Sequence, residues 1–386
     1  MMNKNEMKKK ACQCVDDLQS LIYGIADYLH EHPEIGTQEV LASAYLRNIL
    51  EKYHFTVTDL VPEAFPTAFH ATFGHGACQM AFLAEYDALP GLGHACGHNL
   101  IAAMSVGAAI AFSNVCGEAA TVHVFGCPAE ETEGSKIYMS DHGVFDDIDA
   151  AVIIHPGSDK TQIGGTSYAT HPMEFTFLGK AAHVADPCYH GINALDALVD
   201  FYGKLKNYDK QLKERHIIGT IITDGGTAPN IIPDKAVMKA TIRALDADFL
   251  EETMLPQIRR MAQDVSAAHG TTLDMYHYEP LFRNMVNDAR LDVYFADAFS
   301  ELYEEFGIKD DEHAEGSTDV GDVSHITRVS QPEICIGCDI AAHTPAFAVA
   351  AGSTYGKMQA LTGAKAMAMV GIDVMTETER TNHGQH

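Results

Sequence analysis

Basic residues are scarce in this chain of 386 residues, which carries 26 Lys and Arg against 53 Asp and Glu. The resulting net charge of −27 opposes partners of the same sign, so we expect neither nucleic acid nor an anionic membrane surface to bind. The charge favours solubility and, weakly, a cationic or neutral substrate. A solvated acidic surface is the simpler explanation, and we prefer it.

Long apolar runs are also missing. The longest stretch of small apolar residues, 100–112, is too short and too rich in Ala and Gly to span a bilayer, and we interpret it as a core helix. The polar, basic residues 1–10 lead into no apolar signal core. The nine cysteines are odd in number and scattered, so we expect no disulfide framework. These features together predict a cytoplasmic protein.

Predicted strands and helices alternate along the first part of the chain. Residues 79–84, 121–125 and 151–154 form short apolar runs typical of buried strands, and helical patterns follow the first two. This alternation predicts an α/β fold, with a mainly parallel sheet covered by helices on both faces.

The order of elements changes after residue 168. Residues 169–281 show the pattern strand, helix, strand, strand, helix, strand, which is that of the ferredoxin-like α+β unit. We therefore predict an inserted domain at 169–281, and a catalytic domain formed by residues 1–168 and 282–386.

Residues suited to metal binding and acid–base chemistry follow each of the three predicted parallel strands. Glu85 and Asp87 follow the first strand, Glu130 and Glu131 the second, and His155 the third. Open α/β sheets place their sites at the carboxyl ends of the strands. We therefore expect these side chains to meet at one edge of the sheet.

A metal site is the chemistry that this edge predicts. The candidate ligands are Cys96, His98, Glu131, His155 and His343. Five ligands exceed one tetrahedral shell and suit two cations that share a bridging ligand and a bridging water, as in two-metal hydrolases. A thiolate favours zinc over calcium or magnesium, and manganese remains open. The alternative for Cys96 and His98 is a Gly-rich turn with incidental histidines and a buried free Cys. Taken alone, His155 and His343 are more often core or capping histidines than ligands.

Three acidic residues could support such a site. Glu130 and Glu131 are adjacent and should point differently, so one can bind metal while the other acts as a general base. Alternatively, both are solvated acids that precede a helix. Asp87 could orient a ligand imidazole without touching the metal, or could simply form a turn.

The inserted domain offers three polar residues for substrate. His183 could stabilise an oxyanion, and Asn230 and Arg243 could hold a carboxylate. Taken alone, a loop-closing His, a turn Asn and a surface Arg are the simpler interpretations.

Eight motifs in a fixed order carry a family resemblance. They are His32-Pro33-Glu34-Ile35-Gly36, Asp87-Ala88-Leu89-Pro90, His94-Ala95-Cys96-Gly97-His98, Pro128-Ala129-Glu130-Glu131, His155-Pro156, Gly179-Lys180-Ala181-Ala182-His183, Asn230-Ile231-Ile232-Pro233-Asp234 and His343-Thr344-Pro345. With them the chain resembles the aminoacylase, hippurate hydrolase and carboxypeptidase group of two-metal metallopeptidases. Residues 91–100 and 316–325 are similar to its branch of p-aminobenzoyl-glutamate hydrolases and related dipeptidases.

The resemblance implies a site, an assembly and an activity. The five candidate ligands would bind two zinc or manganese ions, and Glu130 would be the general base. The inserted domain would be a lid that also forms a homodimer or a larger homo-oligomer, and His183 would reach a catalytic centre in its own or the partner subunit. The reaction would hydrolyse an amide or peptide bond and release an amino acid from an N-acyl amino acid, an aminobenzoyl-glutamate-like compound or a small peptide.

Two other functions compete with this one. In a thiol hydrolase, Cys96 would be the nucleophile and His98 its base, and chelators would leave the activity unchanged. A non-catalytic metal- or peptide-binding protein of the same fold would bind metal without turnover. The complete set of five ligand positions and the Glu130–Glu131 pair argue against the latter.

Overall fold

The computed structural model describes residues 2–185, 190–310, 314 and 316–383, and for residues 382 and 383 only the backbone. Residues 311–313 and 315, in the acidic loop that the sequence places at 310–322, lie outside the described residues. The chain divides into two compact units. The first comprises Met1–Thr166, Val286–His313 and Asp322–His386, and the second comprises Ser167–Met285 and Ala314–Gly321.

The helices and strands follow one another along the chain in three groups. Before the second unit lie α1 (Lys4–Asp17), α2 (Gln19–Glu31), α3 (Val40–Lys52), β1 (Thr56–Asp59), β2 (Phe69–Phe73), β3 (Cys78–Glu85), α4 (His98–Cys116), β4 (Ala120–Cys127), α5 (Ser135–Asp141), β5 (Ala150–Val152), β6 (His155–Gly157) and β7 (Thr161–Gly164). The second unit contributes β8 (Ala169–Leu178), α6 (Ala194–Asp209), β9 (His216–Asp224), β10 (Lys235–Ala244), α7 (Leu255–His269, after a π-helical turn at Phe249–Met254) and β11 (Thr272–His277). After it come α8 (Ala289–Glu301), β12 (Phe306–Lys309), α9 (Val320–Ser324), β13 (Arg328–Ser330), β14 (Glu333–Cys335), α10 (Pro345–Ala351) and α11 (Thr354–His383).

A six-stranded sheet organises the first unit, with the order β1-β2-β4-β3-β5-β13. β3 pairs in parallel with β4 and β5, and β5 with β13, whereas β1 and β2 form an antiparallel edge. α4 and α11 pack against β3, and α3 packs against β1 and β2. The predicted α/β class with a mainly parallel sheet is confirmed.

α4 is the central helix of this unit. By length and composition it could cross a membrane, but 94% of its most apolar stretch is buried inside the protein. It packs against α11, α2 and β3, so its apolar residues are explained by protein contacts. It is the core helix that the sequence predicts, although it extends beyond residues 100–112 at both ends.

The short elements depart most from the sequence prediction. β7, β12 and β13 are three or four residues long, and the sequence does not predict them, because so short a run shows no clear apolar alternation. The helical spacing of Val15, Leu18, Ile22, Ile25 and Leu29 predicts a single first helix. In the structure this stretch forms two helices, α1 and α2, which are separated at Leu18. A capping box between Asn3 and Glu6 begins α1 earlier than its apolar periodicity indicates.

The second unit has ferredoxin-like topology. Its antiparallel sheet has the order β11-β8-β10-β9, and α6 and α7 supply the two helices between strands. Phe175 and Phe177 of β8 pack against Phe201 of α6 in its core. The sequence division leaves residues 314–321 with the catalytic domain, but Gly316 accepts a hydrogen bond from the N–H of Tyr168 within this unit.

Two histidines form a hydrogen-bonded pair on a partly buried face of the six-stranded sheet. Nε2 of His70 lies 2.9 Å from Nδ1 of His123, whose Nε2 lies 2.9 Å from Oε1 of Gln79. Burial lowers the pKa of each imidazole from 6.5 to about 4. Between these pH values the unfolded chain binds protons that the folded chain does not, so the free energy of unfolding falls as the pH falls.

We therefore expect replacement of both histidines by glutamine to flatten the acid side of the stability profile. The amides retain hydrogen-bonding groups but do not titrate. Thermal unfolding of the metal-free protein between pH 7 and pH 4 measures this. The melting temperature of the unaltered protein should fall more steeply below pH 6.5 than that of the double variant, and parallel curves would contradict the assignment.

Candidate metal centre

The ends of the central parallel strands are level. Glu85, the last residue of β3, pairs with Cys127, the last residue of β4. The loops that follow these two strands therefore begin at the same edge of the sheet. His155 begins β6 just after β5, the other parallel neighbour of β3. This arrangement is the convergence that the sequence predicts.

A glycine allows the start of α4 to approach β6 closely. Gly97 has a φ of 82°, and a Cβ atom there would lie 2.7 Å from Cγ of Pro156. Both the backbone conformation and the lack of space require glycine at this position. As a result, Sγ of Cys96 lies 3.4 Å from Nε2 of His155.

The candidate ligands converge in three overlapping groups. In each group the ligand atoms lie within 4.8 Å of one another: Cys96, His98 and His155; Cys96, Glu131 and His343; His98, Glu130 and Glu131. Nε2 of His343 also lies 3.3 Å from Oε1 of Glu131. All five predicted ligands are thus neighbours, and Glu130 joins them.

The surroundings of His98 fit a cation. Its Nε2 atom is buried and makes no hydrogen bond to any residue of the described ranges. It faces Oε2 of Glu130 and Oε1 of Glu131, each at 3.9 Å. Two ligands of one zinc ion can show such a separation, because each lies about 2.0–2.2 Å from the metal. The mixture of thiol, imidazole and carboxylate groups also suits zinc or another transition metal.

Asp87 links two of the predicted ligands. Its Oδ1 lies 2.8 Å from Nδ1 of His98, and its Oδ2 accepts a hydrogen bond of 2.9 Å from the backbone N–H of Glu131. A bond to Nδ1 leaves Nε2 of the imidazole as the atom that faces the cluster. Asp87 is therefore more than a turn-forming residue.

The turn after β4 presents both adjacent glutamates to the cluster. Ala129 has a φ of 59°, in the left-handed region, and α5 begins only at Ser135. Glu130 and Glu131 therefore do not lie in the first turn of a helix. Their carboxylates both face His98 and diverge less than their adjacency in the sequence implies.

A buried ion pair beside the cluster is absent from the sequence prediction. Oε2 of Glu85 lies 3.6 Å from Nε2 of His98, and Oε1 of Glu85 lies 2.7 Å from Nζ of Lys136. Burial disfavours the charged form of Glu85, but Lys136 and His98 outweigh it and lower its pKa. The signal that could have indicated this pair is a lysine in the first turn of α5, where the helix dipole disfavours a cation.

The environment of Cys96 argues against the thiol hydrolase. Its side chain is buried, and burial raises the pKa of the thiol. Nucleophilic cysteines usually occupy electropositive and partly exposed positions that lower this pKa. The thiol is better placed as a metal ligand beside His155.

The substrate residues predicted in the second unit lie on two different features. His183 forms a β-bridge with Ile231, and the backbone N–H of Val184 donates to the carbonyl oxygen of Asn230. An open groove of about 390 Å³ beside them is lined by Val184, Leu195, Pro229 and Ile231, among others. Arg243 lies on β10, opposite Thr170 of β8 and Ile217 of β9.

Comparisons with known proteins agree with this arrangement. A model of peptidase family M20/M25/M40 matches residues 81–354. The chain is 32% identical to the Xaa-Arg dipeptidase of Mus musculus over 96% of its own length and 89% of that protein. It is also 32% identical to one of the polypeptides of the p-aminobenzoyl-glutamate hydrolase of Escherichia coli, over 65% of this chain and 56% of that protein. A dinuclear metal-binding peptidase of the M20 family from Bacillus subtilis shares the fold, with a TM-score of 0.73, 21% identity and coverage of 94% of this chain and 99% of the other.

Replacement of Asp87 by asparagine should weaken metal binding. Asparagine offers one acceptor oxygen in place of two, so either His98 or the N–H of Glu131 loses its partner. Since residues that orient ligands contribute about 10–100-fold to metal affinity, we expect a loss of that size. Competition with a chelator measures it, with the exposed Asp141→Asn as control. Equal affinities for the two variants would contradict this role.

Proposed function

Because the chain belongs to peptidase family M20/M25/M40, we propose that it is a dinuclear metallohydrolase. Its proposed substrates are dipeptides, from which it releases an amino acid. Its reaction is metal-dependent hydrolysis of an amide or peptide bond. The observation that supports this most is the convergence of five potential ligands and Glu130 in three overlapping groups, two of which contain His98 with its buried Nε2.

We assign the cations to Cys96, His98, Glu131, His155 and His343, with zinc as the first choice and manganese as the second. When bound, two such cations would lower the pKa of a bound water molecule and polarise the substrate carbonyl. Asp87 fixes the orientation of His98 and holds the backbone of Glu131.

Glu130 is the proposed general base. It accepts a proton from the attacking water and then delivers it to the leaving amine. Its carboxylate is well placed for this role, because its side chain is 13% exposed and lies beside His98. His183 stabilises the developing oxyanion. Asn230 precedes β10 and Arg243 lies near its other end, so within one subunit only one of the two can hold the free carboxylate of the substrate.

Dipeptides with a basic C-terminal residue are the first substrates to test. A relative that matches almost the whole chain is an Xaa-Arg dipeptidase, and a net charge of −27 attracts cationic molecules. Aminobenzoyl-glutamate and N-acyl amino acids are the competing substrates, because relatives with those names also match the chain.

We also propose a homodimer formed through the second unit. β9 is an edge strand of the antiparallel sheet and exposes Ile217, Ile221 and Ile222. Val199 and Tyr202 of α6 are exposed as well. An apolar edge strand is a template for pairing with another strand, and a second copy of the chain would cover it.

Replacement of Glu130 by glutamine should remove the base and leave the ligands intact. We expect kcat to fall by about 100-fold or more, with unchanged metal content. Turnover is measured with Xaa-Arg dipeptides, aminobenzoyl-glutamate and N-acetyl amino acids, and the exposed Glu133→Gln in the same turn is the control. A Glu130→Gln enzyme that keeps most of its turnover would refute the assignment.

Replacement of Ile221 by lysine should convert the dimer into monomers, because it places a charge in the centre of the proposed interface. Analytical ultracentrifugation of both proteins gives the oligomeric state. Ile308→Lys, at an exposed isoleucine of β12 in the first unit, is the matched control and should remain dimeric. A dimer that survives Ile221→Lys would exclude this surface.

A further inference from the structure

The turn that carries the proposed general base is held on both sides by buried carboxylates. On one side, Asp87 accepts the backbone N–H of Glu131 at 2.9 Å. On the other side, Oε1 of Glu39 accepts the backbone N–H of Ala129 at 2.8 Å. Glu130 lies between these two anchored amides. Asp87 takes part in the proposed mechanism through His98, whereas Glu39 has no part in it.

Glu39 is fixed in a buried network of its own. It precedes α3 and is fully buried, and its Oε2 accepts a hydrogen bond of 2.9 Å from the hydroxyl of Thr67. The carbonyl oxygen of Thr67 in turn accepts hydrogen bonds of 2.7 Å from the hydroxyls of Ser43 and Tyr86. Both carboxylate oxygens of Glu39 are thus engaged, which fixes the position of the side chain.

The turn needs such support because its backbone is unfavourable. Ala129 occupies the left-handed region, which residues with a Cβ atom adopt at an energetic cost. The segment before α3 also packs directly on the turn, since a Cβ atom at Gly36 would lie 2.0 Å from Oγ1 of Thr132. Glu39 supplies the hydrogen bond that stabilises this conformation.

Given the proposed role of Glu130, on which this inference rests, we propose that Glu39 is a positioning residue for the general base. By binding the N–H of Ala129, it fixes the turn in the conformation that directs the Glu130 carboxylate into the metal centre. The hydrogen bonds that engage the two carboxylate oxygens of Glu39 come from Thr67 and Ala129, neither of which is a proposed ligand. Glu131 keeps its own anchor on Asp87, so the loss of Glu39 should affect catalysis more than metal binding.

The two most informative variants differ only in whether they can accept this hydrogen bond. Glu39→Leu removes the acceptor and keeps an apolar side chain of similar size. Glu39→Gln keeps a carbonyl oxygen for Ala129 and an amide for Thr67. Burial raises the pKa of Glu39 to about 7, so a neutral acceptor is compatible with this position.

We expect Glu39→Leu to lower kcat by about 10–100-fold, the size of effect that a small misplacement of a catalytic group produces. KM should change less than twofold, and metal content should not change. Glu39→Gln should restore most of kcat. Equal kcat for the two variants would overturn the proposal, as would loss of metal from Glu39→Leu in proportion to its activity.

Hydrogen–deuterium exchange supplies a readout that does not depend on turnover. Peptides that contain Ala129 should exchange faster in Glu39→Leu than in Glu39→Gln or the unaltered protein, and equal exchange would overturn the proposal. If the unaltered protein shows no metal-dependent hydrolysis, the proposed function fails, while the exchange rates still report whether Glu39 holds the turn.

If Glu39→Leu does not fold, Thr67→Val replaces it in the experiment, because this variant removes the hydroxyl that binds the Glu39 carboxylate. It should then raise exchange at the turn and lower kcat, and no change in either would refute the role of Glu39.

Discussion

The candidate metal centre depends on one buried carboxylate, that of Asp87. It joins the start of α4, through His98, to the turn after β4, through the backbone of Glu131. Burial opposes the charge of Asp87, but His98 and the N–H of Glu131 lower its pKa, so that it remains an acceptor for both. The start of α4 and the turn after β4 are far apart in sequence, and Asp87 therefore fixes the positions of their ligands relative to each other.

The concentration of acids at this edge of the sheet is the main electrostatic constraint. Glu85, Glu130 and Glu131 all have carboxylate oxygens within 4 Å of the same imidazole nitrogen. Like charges this close in a buried site repel one another unless cations compensate for them. Lys136 compensates for Glu85, and the proposed divalent ions compensate for the remaining acids. Glu39 does not belong to this charged group. It contacts the turn that carries Glu130 and Glu131 by accepting a hydrogen bond from the backbone N–H of Ala129.

Sequence patterns predict the long elements and the ligand set because both follow simple rules. The apolar runs of β3 and α4 are strong, and parallel strands bring their carboxyl ends to one edge of a sheet. Short strands such as β7 and β13 show no such pattern. Lys136 and Glu39 escape sequence analysis for a different reason. Each acts through one partner that is distant in the chain, Glu85 for the lysine and Ala129 for Glu39, and only the folded structure brings these partners together.

We propose that two cations lie among five side chains of the first unit. Anomalous X-ray scattering from crystals of protein purified without chelator locates and identifies such ions. We expect two peaks, both contacted by members of the set Cys96, His98, Glu131, His155 and His343, with absorption edges of zinc or manganese. A single ion, or ions bound elsewhere in the chain, would refute this assignment.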